Sequence, residues 1–232
     1  LQMSDNYRKN CYKKILDASS VYDIAIKSPM QFAPKLSSKL KNKIYIKRED
    51  LQPVFSFKLR GAYNKISKIK NPKHIVAASA GNHAQGVAMT CKKLKIPSSI
   101  VMPSTTPSIK VNAVKKYGSK VILYGDTYDE AYQYAIKFSK KNNFNFVHPY
   151  DDIDVIAGQG TIGIEILEQL KEHPDYIFIP VGGGGLLAGI SVYLKTINPK
   201  IKIVAVEAED SACFNLACQF GKPTSLKHVG IF

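Results

Sequence analysis

His74-Ile75-Val76-Ala77-Ala78 runs straight into Ser79-Ala80-Gly81-Asn82-His83, and the fold turns on how that join is read. The first run is short and apolar, as a strand buried on both faces would be. The small residues after it end the strand, and Gln85 to Leu94 then has the spacing of a helix. The unit repeats downstream. Ser99 to Met102 is strand-like, and Pro107 opens a helix over Ser108 to Tyr117 that Gly118 closes. Lys120 to Tyr124 is the next strand, Gly125-Asp126-Thr127 caps a helix over Tyr128 to Lys140, and Asn145 to His148 is a fourth strand. Strands and helices alternating over short loops specify a parallel sheet with helices on its faces.

A second series follows. Asp154 to Leu170 is helical, and Asp175 to Val181 is an apolar strand expected to be buried. Gly182 to Gly185 breaks it, Leu186 to Thr196 is helical, Ile201 to Val206 is a strand, and Ser211 to Phe220 is a helix stopped by Gly221. Ahead of the first series come two short helices on the outside of the core, over residues 5–25. A turn at Ser28-Pro29-Met30, a short polar stretch from Leu36 to Leu40 and a strand over Lys43 to Lys47 come next. Ala62 to Ile69 then has helical periodicity. The expectation is an α/β fold of two parallel-sheet lobes with a cleft between them. Residues 75–153 form the small lobe, and residues 1–74 and 154–232 form the large one.

The cleft needs chemistry, and Phe55-Ser56-Phe57-Lys58-Leu59-Arg60-Gly61 offers an amine at the start of a helix. Set among Phe55, Phe57 and Leu59, Lys58 is partly desolvated, which favours the neutral, nucleophilic form. Such an amine condenses with aldehydes, that of pyridoxal phosphate included. An ordinary lysine snorkelling its stem across apolar surface is the alternative.

Val181-Gly182-Gly183-Gly184-Gly185-Leu186 is the strongest single signal. Four glycines between a strand and a helix leave backbone N–H groups bare and able to curl around a phosphate. Two dinucleotide-like patterns compete with this reading. Gly158-Gln159-Gly160-Thr161-Ile162-Gly163 has the spacing but no strand before it, so its glycines are read as a helix start where another backbone approaches. Gly183-x-Gly185-x-x-Ala188 does follow a strand, and Glu207 ends the next one. A nicotinamide-dependent oxidoreductase therefore stays open as a rival. The loop Ser79-Ala80-Gly81-Asn82-His83 suits a carboxylate, and Asn82 offers a donor to a phenolic oxygen. Helix capping by Asn82 or Ser79 explains the loop equally well. His83 reads as a packing histidine rather than a base.

Composition narrows the classes. A net charge of +15 invites nucleic acid, yet the basic residues are spread along the chain with no recognition motif, so no nucleic-acid partner is expected. No run is long and apolar enough for a membrane span. Cys11, Cys91, Cys213 and Cys218 lack metal-ligand spacing, so no metal is expected and a reducing, cytoplasmic setting is. The chain opens Leu1-Gln2-Met3 and stops at Val229-Gly230-Ile231-Phe232, which reads as a fragment whose large lobe is incomplete at the C-terminus.

Several of these stretches together resemble the threonine dehydratases, of the biosynthetic branch, within the tryptophan-synthase-β-like family of pyridoxal-phosphate enzymes. They are Lys47-Arg48-Glu49-Asp50, Ser56 to Ala62, Ser79 to Gly86, Gly158 to Thr161, Pro180 to Leu186 and Val206 to Cys213. The likeness covers nearly the whole chain in order. It implies the fold type II architecture of that family, with pyridoxal 5'-phosphate as cofactor. It further implies that Lys58 holds the cofactor as a Schiff base beside Phe57, and that Asn82 bonds its ring oxygen. Gly182, Gly183, Gly184, Gly185 and Leu186 would bind its phosphate; Ser79, Ala80, Gly81, Asn82 and His83 would take the substrate carboxylate. The implied reaction converts L-threonine, and L-serine less well, to 2-oxobutyrate (from threonine) and ammonia, the first step toward isoleucine. A homo-oligomer at full length is implied, as is no membrane association. An inactive, cofactor-binding remnant remains the non-enzymatic alternative.

Overall fold

Ser4 starts the first helix, α1 (Asp5–Leu16), by accepting a hydrogen bond from the Tyr7 N–H at 3.3 Å. The computed structural model describes residues 4–224. Leu1-Gln2-Met3 and Val229-Gly230-Ile231-Phe232, on which the expectation of a fragment rests, lie outside the described residues. Cys11 and Ile15 give α1 a fully buried face against Ile156, Ala157 and Val192. The second expected helix is a 3₁₀ turn, Ser19–Asp23.

The expected turn at Ser28-Pro29-Met30 leads directly into a strand. β1 (Met30–Phe32) pairs antiparallel with β2 (Tyr45–Lys47), Gln31 opposite Ile46. Between them the polar stretch is a helix, α2 (Pro34–Leu40). Pro34 presets its first turn, and Lys41 ends it in the left-handed region at φ 52°. The Ser37 hydroxyl accepts from the Ile44 N–H at 2.9 Å and ties α2 to the approach of β2.

Helix α3 (Lys58–Ile66) begins at the lysine itself. The first alternating series then unfolds as β3 (Ile75–Ala78), α4 (Asn82–Leu94), β4 (Ser98–Met102), α5 (Ser108–Lys115), β5 (Lys120–Leu123), α6 (Tyr128–Asn142) and β6 (Asn145–Phe146). The four strands form one parallel sheet in the order β5-β4-β3-β6. Side chains alternate across it. Ile75, Ala77, Ile100 and Met102 pack with Ala62, Ile66, Val87 and Val111 on one face. Val76, Ala78 and Val101 pack with Ala131 and Ala135 of α6 on the other. The Thr127 hydroxyl and the Glu130 carboxylate cap α6 reciprocally.

That strand order has a consequence for the site. From β3 the chain moves outward through β4 and β5, then returns to the opposite side of β3 with β6. β3 thus has its successor β4 on one side and β6 on the other. A crevice opens at such a switch point, and ligands of open α/β sheets bind there. The loop Ser79–His83 and the turn His148–Tyr150 follow those two strand ends.

The second series is α7 (Ile153–Gln169), β7 (Tyr176–Pro180), α8 (Gly185–Ile197), β8 (Lys202–Val206), a 3₁₀ turn Glu209–Ser211 and α9 (Cys213–Phe220). β7 and β8 run parallel, Phe178 opposite Val204. The sequence reading of β7 as a buried strand needs correction. Ile179 is buried and Ile177 packs against Ile162, Ile166 and Ile190, but Tyr176 and Phe178, on the other face, are 51% and 67% exposed. Only one face of this strand is covered by α7 and α8, so its apolar character reports both faces while the packing uses one.

A second correction concerns Gly158, Gly160 and Gly163. They sit inside α7, whose start is Asp152, accepting from the N–H groups of Asp154 and Val155. The close backbone approach is real. A Cβ on Gly158 would lie 2.6 Å from the Arg60 carbonyl oxygen, and one on Gly189 would lie 2.4 Å from that of Ile156. Helix α7 is thus clamped between α3 and α8 at backbone distance.

Candidate active site

Lys58 is the first residue of α3, and its Nζ donates to the Pro149 carbonyl oxygen at 2.9 Å. Burial lowers its ammonium to about 8. The Phe57 ring centroid is 5.5 Å from Nζ. The other expected apolar neighbours point elsewhere. Phe55 is 73% exposed, with φ 56°, and Leu59 is buried among Val54, Ala25 and Tyr63. Helix α4 runs directly past the lysine backbone: a Cβ on Gly86 would come within 3.3 Å of the Lys58 carbonyl carbon.

The first turn of α3 is anchored by a buried ionic cluster that sequence reasoning missed. The Arg60 side chain is fully buried and uses every N–H it has. Nε and Nη2 reach Glu49 at 2.8 and 2.7 Å, and Nη1 and Nη2 reach Glu165 at 2.5 and 3.1 Å. Thr161 Oγ1 and the Ile26 carbonyl accept the rest. Glu165 also accepts from Lys47 Nζ at 2.5 Å and from the Tyr22 hydroxyl at 2.7 Å. Lys47 completes its set with Ser28 O and Gln169 Oε1. Two carboxylates offset two cations with each donor satisfied, the condition under which buried charge is tolerated. The available signal is Glu165 flanked by Ile162 and Ile166, a charge on the apolar stripe of α7.

The loop after β3 meets the lysine from the other side. The Ser79 N–H is held by the Val101 carbonyl at 3.1 Å, and the Ser79 hydroxyl accepts from the Gly81 N–H at 3.1 Å. Ser79 and Ala80 are half-buried; Gly81 and Asn82 are exposed. Neither Ser79 nor Asn82 caps α4. Its N-cap is Gly81, with no side-chain bond, so the N–H groups of the first turn are bare. His83 is buried, and its Nε2–H donates to the Val147 carbonyl at 3.1 Å. Burial, with Lys58 adding to it, lowers the ring to about 3, so it stays neutral. It packs, as the sequence suggests, and only its backbone belongs to the loop.

Gly182, Gly183 and Gly184 form the bend after β7, with the Val181 N–H held by the Val206 carbonyl at 2.8 Å. Gly184 has φ 84° and is the N-cap of α8, again with no side-chain bond. Gly185 begins the helix, and Leu186 beside it is half-buried. Here too the helix start offers free N–H groups and the positive end of a dipole, the requirements of an anion seat. Glu207, the acid the nicotinamide rival needs, is engaged elsewhere. Its Oε1 and Oε2 each accept at 2.8 Å from the N–H groups of Phe214 and Asn215, capping α9. Among the described residues no cluster of three metal-type ligands occurs.

A desolvated amine beside two uncapped helix starts, at a sheet switch point, defines an α/β protein built to hold a carbonyl compound that carries an anionic group. A family model described as "Pyridoxal-phosphate dependent enzyme" matches residues 21–230, and the chain belongs to that family. It is 52% identical over 217 residues to "L-threonine dehydratase biosynthetic IlvA" of Haemophilus influenzae, covering 92% of this chain and 42% of the relative. It is 50% identical to "Threonine dehydratase 1 biosynthetic, chloroplastic" of Solanum lycopersicum, covering 93% of this chain and 36% of the relative. Among solved structures, the processed form of threonine deaminase isoform 2 from Solanum lycopersicum matches with a TM-score of 0.93 at 48% identity, over 99% of this chain and 63% of that one. Maize serine racemase matches with a TM-score of 0.90 at 30% identity, over 94% of this chain and 68% of that one. The chain therefore spans less than half the length of the curated relatives it matches. The cofactor named by the family fits the residues present, since a reactive amine and an uncapped glycine turn are both in place.

Proposed function

We propose that the chain carries the catalytic site of a lyase that releases ammonia from L-threonine, and from L-serine less well, with pyridoxal 5'-phosphate as cofactor. The observation that carries the reading is Lys58, an amine lowered to about 8 by burial and oriented by the Pro149 carbonyl. Near neutral pH it exchanges a proton readily and is a competent nucleophile. In this reading Lys58 would hold the cofactor covalently, and its amine would accept the α-proton of the amino acid. When bound, the cofactor supplies an electron sink for the charge left at the α-carbon. Phe57 packs beside the lysine; Asn82 would donate to the cofactor ring oxygen, and Gly182 to Leu186 would take its phosphate. The loop Ser79 to His83, with the bare N–H groups that begin α4, takes the substrate carboxylate, which fixes the α-carbon near Lys58.

We read residues 75–153 as the small lobe and residues 1–74 with 154–232 as the large one, a division supported by the separate sheets. A cytoplasmic location, in a biosynthetic route, accords with four free cysteines, two of them buried. Among the described residues no helix is long and apolar enough to cross a membrane. The test is spectroscopic and chemical. Reconstituted protein should show a visible absorption band that borohydride bleaches, leaving the cofactor attached to a peptide containing Lys58, and should release ammonia from L-threonine. Tight NADH binding without such a band would sink the reading. A band without ammonia release would favour the inactive, cofactor-binding remnant.

A further inference from the structure

The turn between β6 and α7 touches both halves of the candidate site. Pro149 offers its carbonyl to Lys58 Nζ at 2.9 Å, and the next residue, Tyr150, lies against the glycine turn. A Cβ placed on Gly183 would lie 2.2 Å from two Tyr150 ring carbons. A Cβ on Gly185 would lie 2.8 Å from the Tyr150 carbonyl oxygen and 3.1 Å from its Cα. Two glycines are therefore required by one tyrosine, one by its ring and the other by its backbone. The ring is itself held in place. His148 packs edge-on to it with centroids 4.7 Å apart, and His148 Nδ1 accepts from the N–H groups of Tyr150 and Asp151 at 3.3 and 2.8 Å.

We propose that Tyr150 is a positioning residue for the glycine turn, its ring propping the Gly182–Gly185 backbone so that the bare N–H groups face an anionic group on a carbonyl compound held at Lys58. The inference rests on the reading of that turn as a phosphate seat. The contacts come from ring carbons and backbone, so the hydroxyl is dispensable for this role. Because Pro149 and Tyr150 are adjacent in the chain, the same turn sets the spacing between the amine and the anion seat.

Titration with pyridoxal 5'-phosphate and with pyridoxal, which lacks the phosphate, tests this. The 232-residue chain should prefer the phosphorylated aldehyde by at least about a hundredfold, the scale of a few charge-assisted hydrogen bonds. Tyr150→Phe should keep that preference, while Tyr150→Ala should lose about tenfold of it with pyridoxal affinity unchanged. Gly183→Ala sets a methyl group into the ring and should lose about a hundredfold, of which Tyr150→Ala in the same chain restores about tenfold. Gly185→Ala should not be rescued, because its methyl meets atoms that alanine at position 150 retains.

The outcomes separate the two ideas. If the wild-type chain fails to distinguish the two aldehydes, the phosphate reading falls and this inference with it. If it distinguishes them but Tyr150→Ala keeps the full preference, the phosphate seat stands and the role of Tyr150 is overturned. That role is overturned as well if Tyr150→Phe loses the preference, or if the double variant binds no better than Gly183→Ala. Loss of pyridoxal binding in Tyr150→Ala would assign the ring to general packing around Lys58, which also overturns the proposal. Should Gly183→Ala lose pyridoxal as well, the Tyr150 variants alone decide.

Discussion

Arg60 and Glu165 meet end-on in the interior, Nη1 to Oε1 at 2.5 Å and Nη2 to Oε2 at 3.1 Å, and neither side chain reaches solvent. Removing Glu165 leaves Lys47 without its carboxylate and Arg60 with Glu49 alone, in a site closed to water. Glu165→Leu should therefore cost about 3–5 kcal/mol, read as a lower urea midpoint at unchanged slope. Arg60→Met combined with Glu165→Leu should cost less than the sum of the two single variants, since the bonds between Arg60 and Glu165 can be lost only once. Burial raises the Glu165 carboxyl, but Arg60, Lys47 and Tyr22 outweigh it and hold the group below its ordinary value. The contribution is present above the usual carboxylate range and is lost as pH falls through the depressed pKa. A double variant whose loss equals the sum of the two single losses would contradict this account.

Lys58 should label as an unusual amine. Its modification by a small aldehyde with borohydride should follow a midpoint near pH 8 instead of its ordinary 10.5. The sign for stability follows from the same shift. Between about 8 and 10.5 the unfolded chain keeps a proton that the folded chain has released, so this residue makes stability rise with pH across that window. Lys58→Met should accordingly raise the thermal midpoint at pH 7, and its advantage should shrink toward pH 10. A labelling midpoint at the ordinary lysine value would refute the desolvation argument.

His83 should remain neutral through the physiological range. Its ring resonances should show no titration between about pH 5 and 8. Its folded pKa is lowered to about 3, whereas the unfolded ring titrates near 6.5, so stability is lost as pH falls between those values. Denaturant melts of wild type and His83→Leu at pH 7 and pH 4 measure that loss, which should be smaller in the variant.

Alanine at two glycines should act in opposite senses. At Gly189 a methyl group would face the Ile156 carbonyl oxygen at 2.4 Å and the Gly160 nitrogen at 2.7 Å, atoms of a helix that cannot yield. The gain in helix propensity, about 1 kcal/mol, is smaller than the cost of separating α7 from α8, and the thermal midpoint should drop. At Gly81 nothing lies within 4 Å and φ is negative, so alanine should be tolerated in a melt.

The fold was most legible where a single element carried its own evidence. β3, β4, α5 and α6 are each bounded by glycine, proline or a capping pair, and their expected limits fall within a few residues of those observed. β1 was hidden because three residues hold no periodicity and its partner lies fifteen positions away in register. Lys58, the loop at Ser79 and the glycine turn stand out by composition at element ends. The charges around Arg60 and the contact between Tyr150 and Gly183 do not, because each exists only once distant segments have packed. Gly158, Gly160 and Gly163 copy a nucleotide-binding spacing for a different reason, the near approach of α3 and α8.

The bond from Lys58 to the Pro149 carbonyl has an entropic side. A free lysine carries about 2 kcal/mol of rotamer entropy, which a reacting partner must otherwise remove on capture. Here the side chain is already ordered when folding ends, with its nitrogen 2.9 Å from a fixed oxygen. If the ordered pose matches the bound one, an incoming aldehyde is spared that loss, worth about thirtyfold in an equilibrium constant. The chain settles the search for the amine before any partner arrives.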